Sequence, residues 1–306
     1  MVSIKRNKND GVSLVGVLVA VVISSIVIMA LITIFITVKD RYNLYKDKTT
    51  AEVKQLLVKS ILYDFVKDVG FACKFGYSEQ VHHDRTNDSL DGFFTDASAL
   101  RVGNLPLTTS NHLPEQLEAG CSEKCYQANT DYIMIKKEED HTFLIGTNAL
   151  DTTLNVVSAD GIESGDYLFL CGKNNINMVR ANSVNLGTNT IELSQAPTAS
   201  VYYPGDYLGE YSFEVLYVGN AGEQDENGQD IFALYIYMKS DNTQGESFEL
   251  VRGVESLQIE RITSISNGNI SWDRVSSDVD LQDSNDTAIR VSFSIDGNRY
   301  HKIINL

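Results

Sequence analysis

Four cysteines, one histidine pair and two carboxylate-rich turns are the side chains of this 306-residue chain whose types and spacing invite chemistry. Cys121-x-x-x-Cys125 lacks the spacing of a CxxC pair, and no two histidines stand at zinc-ligand spacing beside it. Together with Cys73 and Cys171 these thiols form at most two disulfides, in one of three connectivities. Pairing Cys121 with Cys125, which leaves Cys73 for Cys171, is one of the three. His82-His83-Asp84 offers nitrogen and oxygen donors to a metal, but its neighbours Asn87, Asp88, Asp91 and Gly92 spell an exposed loop. Asp225-Glu226-Asn227-Gly228-Gln229-Asp230 sets the oxygen ligands Asp225, Asn227 and Asp230 around a turn, which is Ca²⁺ chemistry. The full EF-hand spacing and its terminal Glu are absent, so a solvated hairpin tip is expected and Ca²⁺ is the alternative. Asp278, Asp280, Asp283 and Asp286 form a similar acidic loop. No G-x-S-x-G, P-loop, G-x-G-x-x-G or H-E-x-x-H occurs, so neither catalysis nor a resident cofactor is expected.

The elements that carry these residues are one long helix and a series of strands. Val53, Leu57, Ile61, Phe65 and Val69 recur every four residues, Leu56 supports the same face, and Gly70 is the expected stop. Strands are expected at Tyr132–Lys136, Tyr167–Cys171, Thr190–Leu193, Phe213–Val218, Ile231–Met238, Ser256–Ile262, Ala288–Ser294 and Tyr300–Ile304. Gly219–Asp230 reads as a polar hairpin loop, and residues 76–130 are the least regular part. A helix followed by many strands predicts an α+β fold, with the helix packed on a mainly antiparallel β-sheet head at residues 71–306. The tyrosines and phenylalanines suit sheet faces and interfaces better than a cofactor site.

Before that helix turns amphipathic, over residues 39–70, it is apolar on every face. No charged residue lies between Val12 and Val38, a run of 27 residues and roughly 40 Å of helix at about 1.5 Å per residue. That length predicts a single transmembrane span. The leader 1–11 carries Lys5, Arg6 and Lys8 and ends in Gly11. It differs from an ordinary secretory signal, because the apolar run is too long and no A-x-A site closes it.

A short basic leader ending in Gly, followed by Val12-Ser13-Leu14, resembles the class III signal of type IV prepilins. The resemblance implies cleavage between Gly11 and Val12 by a prepilin peptidase, methylation of Val12, and a helix that anchors the subunit in the inner membrane before forming the filament core. Pilins usually carry Glu at the fifth mature position, which here is Gly16. A buried carboxylate needs a partner, so its absence is consistent with a place at the filament tip, where no distal neighbour exists.

Further along, the chain is similar to PilW-type minor pilins. The similar pieces are Ile23-Ser24-Ser25, Lys39–Leu44, Asp64–Phe71 followed by Cys73, Gly165–Leu168 leading to Cys171, Glu249–Ile259 and Ile289–Phe293. Residues 74–130 and 263–287 carry no such match. The resemblance implies a structural subunit of the type IV pilus that helps start assembly and sits near the tip, with twitching motility, adhesion or competence as the outcome. It implies the other minor pilins, the major pilin, the prepilin peptidase, the inner-membrane assembly platform and a tip adhesin as partners. A periplasmic head makes disulfides the natural state of its cysteines. A tip subunit of a type II secretion pseudopilus is the alternative in the same class. An unprocessed, membrane-anchored periplasmic binding protein or enzyme is the alternative from another.

Charge agrees with a tethered acidic head. The whole chain has 25 bases and 41 acids, residues 39–68 have seven and five, and residues 69–306 have 15 and 35. A surface so negative repels phosphate backbones, so nucleic acid is not an expected partner.

Overall fold

The computed structural model describes residues 14–70, 81–90, 98–107, 115–118, 121, 124–172, 175–199, 201–266, 269–281 and 287–306. Among them are one α-helix, α1 (Leu14–Lys67), and a 3-10 turn at Glu115–Leu117. Fifteen strands follow: β1 (Val81–Arg85), β2 (Leu100–Asn104), β3 (Asp131–Phe143), β4 (Thr153–Asn155), β5 (Tyr167–Cys171), β6 (Asn175–Asn185), β7 (Thr190–Leu193) and β8 (Tyr207–Gln224), then β9 (Asp230–Lys239), β10 (Glu246–Arg252), β11 (Val254–Ser266), β12 (Asn269–Arg274), β13 (Val279–Asp280), β14 (Ala288–Ile295) and β15 (Asn298–Asn305). The chain divides into two compact units, one ending at Val53 and the other spanning Lys54–Leu306.

In the second unit, an eleven-stranded sheet runs β13-β2-β3-β8-β5-β6-β7-β4, with β1 on β6, β9 on β8 and β10 on β9. A four-stranded sheet runs β12-β11-β14-β15. Neighbours are antiparallel except β1 with β6. Strand β3 shows why its sequence reads as an unbroken apolar run. Ile133 and Ile135 enter a core shared with the small sheet, while Tyr132 and Met134 enter a tyrosine-rich core on the other face. A strand buried on both faces needs no polar alternation. A third core, around Leu144, Val156, Ile191 and Tyr202, fills the end of the large sheet formed by β4, β6 and β7.

Asp131, fully buried at the start of β3, joins the two sheets. Its carboxylate accepts the Ile259 N–H of β11 at 2.6 Å and Arg274 of β12 at 3.4 Å, and also bonds Asn104. Burial raises its pKa, against the lowering effect of those donors. The chain passes from one sheet to the other at Gly253, whose φ of +84° sits between β10 and β11. Side chains rarely adopt that conformation, and a Cβ there would meet the Lys54 ammonium at 2.9 Å.

Several expectations change. The α+β fold with one sheet is corrected to a mostly β architecture of two antiparallel sheets, with α1 contributing only its last turns to a core. Strand β6 has no counterpart among the expected strands because Asn175–Asn185 mixes polar and apolar residues without a clean period. The helix face holds only in its second half: Phe65 is buried and Ile61 and Val69 pack partly buried against a core beside Val58, Leu62 and Val66, whereas Val53, Leu56 and Leu57 are exposed. A strict four-residue repeat advances about 400° and drifts off one face, whereas spacings of four, three and one stay on it. The late element Glu249–Ile259 is two strands in different sheets, and the loop at Gly219–Asp230 contracts to a turn at Asp225–Gln229. Within 76–130, β1 and β2 are regular strands. Gly70, three residues past the helix, takes a φ of +110° and donates its N–H to the Lys136 carbonyl. Finally, among the described residues no helix is long and apolar enough to cross a membrane, so a single-pass inner-membrane anchor is not supported on this count.

Candidate assembly surface

Along the first unit, α1 displays apolar side chains outward. Leu18, Val21, Val22, Ile23, Ile28, Met29, Ile32, Ile34 and Ile36 are each more than half exposed. Val21, Val22 and Ile23 are consecutive, and at about 100° per residue they already cover more than half of the circumference. A helix in water normally keeps one polar face, and this one lacks it over these turns. Three of its hydroxyls are turned inward to the backbone. Ser25 donates to the Val22 carbonyl at 2.8 Å, Thr33 to Met29 at 2.9 Å and Thr37 to Thr33 at 2.9 Å. Those polar groups therefore need no water, and the surface suits close contact with other apolar helices.

Gly11 and Val12, the expected processing site, lie outside the described residues. Gly16 is part of α1. In the second unit a disulfide joins Cys121 to Cys125, with Cα atoms 5.7 Å apart. Cys171, buried at the end of β5, is also disulfide-bonded, and Cys73 lies outside the described residues. The Cys121–Cys125 loop is tied to the large sheet. Asn220 donates its N–H to the Cys125 carbonyl, and Lys124 donates its ammonium to the Ser247 carbonyl of β10 at 3.1 Å.

The carboxylate turns serve the backbone. Asp225 accepts the N–H groups of Asn227 and Gln229, both at 2.8 Å, and these bonds hold its carboxyl below the usual carboxylate range. Asp230 accepts from the Gln224 amide. The Ca²⁺ alternative for Asp225, Asn227 and Asp230 thus meets a carboxylate already committed to its hairpin. Asp84 likewise accepts both the N–H and the hydroxyl of Thr86. Asp280 is no loop residue: it sits in β13 and pairs with Arg101 at 2.6 and 3.0 Å, while Asp283 and Asp286 lie outside the described residues. Among the described residues no group of three or more His, Cys, Asp or Glu is placed to hold a metal.

Among the described residues, a large upward push on a carboxylate falls on a residue that the motifs passed over. Glu210 on β8 is pushed up to about 7, first by burial and then by Asp166, Glu139, Asp140 and Glu163. Repulsion of this kind has no local sequence signal, because the contributing residues come from separate elements. No protein-family model, no curated protein and no solved structure matches this chain.

Proposed function

We propose that the chain is a minor subunit of a type IV pilus, resembling the PilW-type minor pilins, that helps start filament assembly and stays near the tip. The observation that carries the reading is the helix stretch with exposed apolar residues on several faces, directly behind a short basic leader that ends at Gly11. In a filament, the apolar helices of neighbouring subunits would surround Leu18–Ile36 and remove it from water. With the hydroxyls of Ser25, Thr33 and Thr37 bonded internally, packing there would rest on van der Waals contact, which the small residues Gly16, Ala20, Ser24 and Ala30 assist. The inner-membrane stage of this reading rests on the run Val12–Val38 alone. The head at residues 71–306 would contact the heads of other minor pilins, the major pilin or an adhesin.

Deletion and complementation in the parent organism test the reading. Loss of surface pili and twitching, with protein secretion intact, is the expected result. Loss of secretion with pili intact would assign the chain to a secretion pseudopilus instead, and loss of neither would overturn the filament role.

A further inference from the structure

The head carries a second apolar surface, far from α1 in sequence. Leu144 and Val156 form an antiparallel bridge and point into a core, so their neighbours Phe143, Ile145 and Val157 share the opposite side. Val157 donates its N–H to the Phe143 carbonyl, which places those two side chains across from one another. Phe143, Ile145 and Val157 are 42%, 56% and 59% exposed. The ring of Tyr207 backs Phe143 at 5.8 Å and stacks on His141 at 5.1 Å, giving the patch a firm aromatic floor. The stretch of chain that carries it, residues 138–210, contains ten acids and two bases. Asp140 and Asp160, three residues from Phe143 and Val157 in sequence, are exposed.

The chain also holds a complementary surface. In the second unit's part of α1, Leu56 and Leu57 are 67% and 46% exposed, between Lys54 and Lys59. Lys54 makes a long 3.8 Å pairing with Asp296. Both surfaces stay exposed in a single copy, so neither covers the other.

We propose that the acidic apolar patch at Phe143, Ile145 and Val157 docks on the basic apolar stretch Lys54–Lys59 of a second copy of this chain. Opposite charge steers the approach, and burial of the two apolar groups holds the contact. The two faces differ, so the contact is heterologous and leaves one free face at each end. This inference rests on residues 54–306 and stands apart from the pilus reading.

The test places a benzoylphenylalanine photocrosslinker at Ile145 of the full-length chain in detergent micelles. The expected product is a dimer whose crosslink maps by mass spectrometry to Lys54–Ile61 of the partner copy. Its yield should drop about five-fold between 0.1 and 0.5 M NaCl, as screening of exposed charges requires. The double variant Leu56→Asp, Lys59→Glu should lower it as much, and adding Asp140→Lys and Asp160→Lys should restore it. Melting curves show whether each variant is folded, and the salt response of the unaltered surface needs no variant. Absence of a dimer, a crosslink elsewhere or a yield indifferent to salt would overturn the proposal. The contact forms with residues 1–11 present or removed, so a failed pilus reading leaves this test intact.

Discussion

Glu210 shows how a single carboxyl can set the pH behaviour of the head. Its value of about 7 lies above the ordinary 4.5, so between these limits the folded chain binds a proton that the unfolded chain does not. The stability it contributes is complete below about pH 4.5 and is lost as pH rises through 7. The head is therefore expected to lose stability from pH 5 to pH 8. Glu210→Gln should gain about 1–2 kcal/mol at pH 8 and little at pH 5, after allowance for solvent screening. Thermal melting at the two pH values checks this, and equal effects at both would refute the assignment. Asp166, which burial also raises, shifts stability in the same direction. Neither residue stands out in the sequence, where each is one acid among 41. The opposite holds for Asp225, whose turn chemistry is legible from its Asn-Gly neighbours and is found in the hairpin.

At the scale of elements, the helix face separates what periodicity can and cannot specify. Leu62 is fully buried among residues of both sheets, and Leu56 is exposed. Leu62→Ala should cost about 2–5 kcal/mol of head stability, and Leu56→Ala about 0.5 kcal/mol or less. Denaturant unfolding distinguishes them, and similar costs would restore Val53, Leu56 and Leu57 to the face that also holds Ile61, Phe65 and Val69. The first turns of that face were misplaced, while Ile61, Phe65 and Val69 do meet the core, because two leucines adjacent in sequence, Leu56 and Leu57, pull any apolar stripe toward themselves, whatever the tertiary partner covers. Strands were legible where a core fixes their chemistry: Tyr167–Cys171 and Thr190–Leu193 match to the residue, and Ala288–Ser294 falls one residue short. The second sheet was not legible. Its existence depends on the break at Gly253, and a glycine inside an apolar run does not reveal that the strands on either side pair with different partners.

For the whole molecule, two properties combine: an N-terminal helix with apolar residues facing outward on several sides, and an acidic β-rich second unit held by three cores. The first needs apolar company and the second presents a strongly charged surface to water. A subunit of a helical filament uses both, which is why the leader and the helix weigh more in the functional reading than any cluster of polar side chains in the head. The most direct measurement is the amino-terminal mass of the protein from cells with and without prepilin peptidase. The account predicts a start at methylated Val12 that depends on the peptidase. An intact Met1 terminus in both strains would contradict it.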